Sequence, residues 1–137
     1  MAETVRKVDY FYIEAPNKPG EGAKVLSMLR DAGVNLLAFS GFPQGRKAQI
    51  DFIPEDAAAF KVAAKKARLK LSAKKTGFLI QGEDRPGVVA DVMGKLAAVN
   101  VNVTAIDAVS AGEGRYGAIL WVKPADVRKA ASALGAA

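Results

Sequence analysis

Apolar positions follow a two-residue rhythm and then a helical one, and this succession occurs twice along the chain. Asp9 to Glu14 and Gly77 to Gln81 are apolar, aromatic-rich runs of strand length. A Pro-Gly pair follows each, and then apolar residues recur at helical spacing. In the first stretch these are Ala23, Val25, Leu26, Met28, Leu29 and Ala32; in the second, Val88, Val89, Val92, Met93, Leu96 and Val99. Gly33 and Asn100 supply the helix stops. Strand-forming runs come next, Val34 to Ser40 and Val101 to Ser110, and Gly-containing turns lead into Ala48 to Ile53 and Tyr116 to Val122. Pro54 and Pro124 are placed to open a helix, before two Ala-rich stretches. ARLKLSA (67–73) alternates and predicts a fourth strand in the first half only.

The two halves align residue by residue. At an offset of 67 positions, Phe11/Phe78, Ile13/Ile80, Pro19/Pro86, Gly20/Gly87, Val25/Val92, Leu29/Leu96 and Asn35/Asn102 are identical, with no gap from Phe11 to Ala38. The order is therefore βαββαβ followed by βαββα. It predicts an α+β protein of two ferredoxin-like units with antiparallel sheets, packed side by side, the second lacking its last strand. SAKKTG marks the boundary, giving residues 1–73 and 74–137. The missing strand leaves a sheet edge to be covered by another chain or by the terminus, and it points to a homodimer.

Composition narrows the chemistry. The 137 residues contain no cysteine and no histidine, which removes disulfides, thiolate nucleophiles, imidazole bases and most metal sites. Carboxylate-only magnesium chemistry stays possible, but no acidic cluster stands in the right setting, and the expectation is no metal and no cofactor. The first ten residues carry no apolar core of a signal peptide and no run approaches a membrane span, so the expected location is the cytoplasm. The net charge of +6 raises the prospect of anionic partners. Its densest basic stretch holds Lys61, Lys65, Lys66, Arg68, Lys70, Lys74 and Lys75, and reads as a solvated helix face and a charge-protected edge strand. Trp121, in an apolar strand, reads as core or interface rather than a stacking platform.

The repeated loop is where binding chemistry is concentrated. A strand, Pro-Gly and a helix expose unpaired N–H groups at the positive end of a helix dipole, which suits a carboxylate or phosphate. Asp84 stands two positions before the Pro and can accept an ammonium; Asn17 occupies the same place in the first unit. Asn35 and Asn102 stand beyond the other end of each helix. A carboxylate cradle beside an ammonium acceptor suits a free amino acid. The same residues also make ordinary turns and caps, and residue chemistry by itself leaves both readings open.

GEDRPGVVADVMGKLAAVNVNVTAI (82–106) resembles the first half of an ACT domain, where a strand ends in Asp-Arg-Pro-Gly before a helix and a Val-Asn-Val strand. The first unit is similar, and together the two cover nearly the whole chain. The resemblance implies a non-catalytic regulatory module that senses an amino acid between tandem units. Carried over by residue, Asp84, Arg85, Gly87, Val88 and Val89 would face Asn35 and Leu36, while Asn17, Gly20 and Glu21 would face Asn102 and Val103. Glu21 and Gly22 depart from the apolar pattern found after the second Gly, so the two sites are expected to be unequal. Regulatory output would pass through a protein partner or through assembly. The alternative is a nucleic-acid or protein interaction module on the same fold. A hydrolase of the acylphosphatase kind would need an Arg-bearing phosphate cradle, and the first loop has only Lys18.

Overall fold

Strand pairing and helix burial follow the repeat closely in the computed structural model, which describes residues 3–136. The elements run β1 (Thr4–Pro16), α1 (Glu21–Asp31), β2 (Leu36–Gln44), β3 (Lys47–Pro54), α2 (Ala57–Lys66), β4 (Lys75–Glu83), α3 (Val88–Ala98), β5 (Val103–Gly112), β6 (Arg115–Val122) and α4 (Val127–Leu134). They form two compact units: Asp9–Lys75, and residues 76–136 joined by residues 3–8. The fold is α+β, with antiparallel pairing of β1 with β3, β2 with β3, β4 with β6 and β5 with β6.

The repeat pairs are the core anchors of the two units. Phe11 and Ile13 stand opposite Phe52 and Ile50 in one sheet, and Phe78 and Ile80 opposite Leu120 and Ala118 in the other. All eight side chains are buried, as are Val25 and Leu29 on α1 and Val92 and Leu96 on α3. The first core is built around aromatic rings: Phe60 of α2 stacks on Phe11 at 5.4 Å and meets Phe52 at 5.3 Å. The second is mostly aliphatic around Phe78 and Tyr116, with Val88, Val92 and Leu96 packed with Leu120, Ala130 and Leu134.

Helix ends obey the expected chemistry. Gly33 (φ 76°) and Asn100 (φ 59°) are left-handed and lie 67 positions apart. After each, the next N–H reaches back to a carbonyl five residues earlier: Val34 to Leu29 and Val101 to Leu96, both at 3.0 Å. Asn can replace Gly here because its short side chain tolerates the left-handed region. Pro124 opens a short 3-10 turn before α4. Pro54 behaves differently from expectation: it closes β3, and Asp56 caps α2 by accepting from the Ala59 N–H at 3.1 Å.

ARLKLSA is not a strand. Ala67 caps α2, Arg68 is left-handed (φ 59°), and residues 69–74 run as an irregular segment beside β1. The Ser72 N–H donates to the Tyr12 carbonyl at 2.9 Å, but the Tyr12 N–H donates to the Ser72 hydroxyl at 3.0 Å. The side chain has taken the place of the backbone acceptor, so no regular ladder forms.

The fourth strand position of the C-terminal unit is filled from the other end of the sequence. β1 lies beside β4, and its first five residues belong to the C-terminal unit. Val5 is buried in the same core as Phe78 and Ile80, and Thr4 Oγ1 donates to the Gln81 carbonyl. Glu3 accepts a hydrogen bond from the Tyr116 hydroxyl and stands 3.9 Å from Lys95 Nζ. Gly82 makes this approach possible, since a Cβ there would come within 3.0 Å of the Tyr116 ring and 3.3 Å of Glu3 Cγ. The terminus, one of the two candidates named for the open edge, covers it.

Two phenols carry a pH signature. Burial, the nearby Asp51 charge and Tyr12 push Tyr10 up to about 12, and burial with the Glu3 hydrogen bond pushes Tyr116 higher still. The unfolded chain releases these protons near the ordinary value of 10.0 while the folded chain still holds them. Their contribution is therefore complete below that pH and is lost as pH rises toward the folded values. The melting temperature should fall steeply above pH 10, and Tyr10→Phe should flatten that limb. An unchanged alkaline slope in the variant would count against the assignment.

Candidate functional site

The two Pro-Gly loops share one backbone form. Gly20 (φ 89°, ψ −14°) and Gly87 (φ 82°, ψ 4°) are both left-handed N-cap residues, and neither helix receives a side-chain cap. Only glycine enters this region without steric cost, so Pro-Gly here is a conformational requirement. The first helical bonds are Lys24 N–H to Gly20 O and Asp91 N–H to Gly87 O, each at 3.0 Å. Ahead of them, Glu21 N–H reaches Lys18 O and Val88 N–H reaches Arg85 O at 3.3 Å. The donors left before the first helical bond are thus Gly22 and Ala23 in one loop, and Val89 and Ala90 in the other.

Side chains make the loops unequal. Asp84 is exposed, follows β4 directly, and is held at two points: its N–H donates to Gly114 O at 2.8 Å, and its carboxylate accepts from Ser110 Oγ at 3.2 Å. Arg85 folds back along the loop to bond Asp91 in the first turn of α3, and donates to Pro86 O at 3.4 Å. The Asp91 hydrogen bond and charge secure the guanidinium in its charged form. Val88 is buried in the core, which leaves half-buried Val89 as the apolar side chain at the loop. In the first loop Asn17 and Gly20 are exposed, and the Glu21 carboxylate stands 3.7 Å from Lys18 Nζ. That carboxylate lies in the first helical turn, so it already satisfies the positive helix end that a ligand carboxylate would seek.

The asparagines stand at the far ends of the helices. Asn35 donates through Nδ2 to Glu55 Oε2 at 3.2 Å, and its carbonyl accepts from Glu55 N–H. With Leu36, Arg30, Val34 and two leucines of α1 it lines an open depression of about 350 Å³. Asn102 is exposed and Val103 half-buried. Pairing with the neighbouring strand is irregular at equivalent points, Leu36/Ala38 and Val103/Ala105, which turns the intervening residue out of the ladder. An 11-residue helix separates the loop from the asparagine of its own unit by roughly 16 Å, so these two groups cannot hold one small ligand within a unit.

Ser110, Asp91 and the Gly114 carbonyl were not among the residues singled out from sequence. Asp91 had a local signal, an acid in a first helical turn six positions after an Arg. Ser110 and Gly114 had none, because only the pairing of β4 with β6, at Glu83 and Arg115, and of β6 with β5 brings that hairpin to the loop. Among the described residues, no group of three or more His, Cys, Asp or Glu could hold a metal ion, and no helix is long and apolar enough to cross a membrane.

No protein-family model matches the sequence, and no curated protein matches it either. Solved structures do. A protein from Bacteroides thetaiotaomicron superposes with a TM-score of 0.80 at 20% identity, covering 96% of this chain and 88% of that one. The regulatory subunit of aspartate kinase from Thermus thermophilus, in its ligand-free form, gives 0.67 at 16% identity, covering 98% and 96%. The equivalent subunit from Thermus flavus gives 0.60 at 20%, covering 98% and 94%. The chain has the fold of these proteins over nearly its whole length. This is the α+β fold of two ferredoxin-like units that the repeat announced.

Proposed function

We propose that this chain is a non-catalytic regulatory module that binds a free amino acid at the second Pro-Gly loop. One observation carries the reading: the uncapped α3 N-terminus offers the Val89 and Ala90 N–H groups at the end of the same loop that carries Asp84, whose carboxylate Ser110 holds. The N–H pair would take the effector carboxylate and Asp84 its ammonium. The likeness to regulatory subunits of aspartate kinase supports a regulatory role. Asn35 and Leu36 enter through the family resemblance, and the first loop, with Glu21 in its helical turn, is the weaker site. A homodimer, a protein partner for output and a cytoplasmic location belong to the same reading.

A thermal-shift screen of the standard amino acids tests it. A true effector binds only the folded state and adds about 2.7 kcal/mol at a hundredfold excess over its dissociation constant. Asp84→Ala should weaken that effector by about ten- to a hundredfold, the cost of a lost charged hydrogen bond. Asn17→Ala should leave the shift intact, and Asn35→Ala tests the facing residue that the resemblance implies. No shift with any amino acid sinks the proposal.

A further inference from the structure

The excess of positive over negative charge in this protein comes from one stretch. Residues 57–75 contain seven of the 20 basic residues and no acidic residue, while the remaining 13 are outnumbered by the 14 acidic ones. The net +6 is therefore a local property of α2 and the segment after it. Lys61, Lys65, Lys66, Arg68, Lys70 and Lys74 are all exposed, and among the described residues none of them forms a salt bridge to an acid. Lys61 is fixed over the Phe11 ring at 5.6 Å, and Lys75, at the end of the segment, lies over Tyr12 at 6.0 Å. Lys65 and Lys66 complement the dipole at the end of α2, but that role does not account for Lys61, Arg68, Lys70 or Lys74.

The face also has an apolar centre. Val62 is 57% exposed and sits one helical turn from Lys65 and Lys66, beside Lys61. Phe60, Ala63 and Ala64 point the other way into the core, so the helix cannot turn over to insert into a lipid surface. Phe60, the aromatic residue of this stretch, is completely buried, so the stretch itself presents no ring for stacking on a base. A phosphate backbone would use the lysines and gain nothing from Val62.

We propose that the exposed face of α2, continued by residues 68–74, docks an acidic amphipathic helix of a partner protein. The lysines and Arg68 meet its carboxylates and Val62 meets its apolar stripe. Complementary charge steers the encounter and sets its salt dependence, while the apolar contact selects a protein helix over other polyanions. The surface shares no residue with the loops assigned to the effector, and the inference does not depend on that assignment.

The test uses the full chain and fluorescence anisotropy. Its probe is a synthetic amphipathic helix of about 18 residues with a glutamate face and a leucine stripe, long enough to be helical when docked. A scrambled peptide of the same composition, a DNA duplex and phosphatidylserine-containing vesicles serve as competing occupants. The helical peptide should bind and should weaken at least about tenfold between roughly 50 and 300 mM salt as screening grows. The triple variant Lys61→Ala, Lys65→Ala, Lys66→Ala should weaken it about tenfold or more. Val62→Ser should weaken the peptide about fivefold and leave DNA unaffected, the signature of a buried aliphatic contact. Both variants alter exposed side chains, and an unchanged melting temperature confirms that they fold. Equal binding of the scrambled peptide, tighter binding of DNA or vesicles, or no response to Val62→Ser would overturn the proposal.

Discussion

Deleting residues 1–8 should abolish cooperative folding of the C-terminal unit, although no residue of its continuous sequence is touched. The deletion removes Val5 from the core shared with Phe78, Ile80 and Leu120, at a cost of about 1.5–3 kcal/mol. It also strips Tyr116 of the Glu3 carboxylate, a charged hydrogen bond of about 1.5–3 kcal/mol. The free edge of β4 then presents unpaired backbone groups next to three buried apolar residues, Phe78, Leu79 and Ile80. Together these losses are comparable to the 5–15 kcal/mol that typically separates a folded domain from its unfolded chain. Amide hydrogen exchange should show loss of protection in β4 and β6, and size-exclusion chromatography should show self-association through the bared edge. A truncated chain with wild-type protection and a wild-type elution volume would show that the terminal strand is dispensable.

Phe60→Ala should be the most damaging single substitution in the N-terminal unit, at about 3–5 kcal/mol. The ring is fully buried and touches both Phe11 and Phe52, so its removal takes two aromatic contacts out of the centre of the core. Phe39, which tilts against Phe52 at 5.6 Å from a more exposed position, would lose its backing as well. Urea denaturation should show the midpoint falling with little change in slope. Phe60→Leu should recover much of the loss by refilling volume, whereas the Lys61→Ala change next to it should cost little. Equal effects of the Ala and Leu variants would argue that filled volume at this position is not what holds this core.

Much of the fold could be read along the chain because the repeat is a repeat of core contacts. Phe11/Phe78, Ile13/Ile80, Val25/Val92 and Leu29/Leu96 are identical because equivalent places in two similar cores demand similar volumes. The Pro-Gly loops were equally legible, since a left-handed N-cap selects glycine wherever it occurs. Reading failed where one side chain or a distant segment decided the outcome. ARLKLSA has better alternation than TVRKV, yet Ser72 spends its hydroxyl on the Tyr12 N–H and breaks the ladder. TVRKV carries only one buried residue, Val5, and becomes a strand because β4 offers an edge to pair with.

The sequence by itself determined the two ferredoxin-like units, their turns and helix stops, and the chemistry available at each loop. These follow from local periodicity and from backbone conformations that few residue types can adopt. Tertiary structure alone decided that the first residues complete the last unit, that Ser110 and Gly114 anchor Asp84, and that Arg85 is held by Asp91. Register and strand order place those groups together, and neither is encoded in the spacing of any short segment.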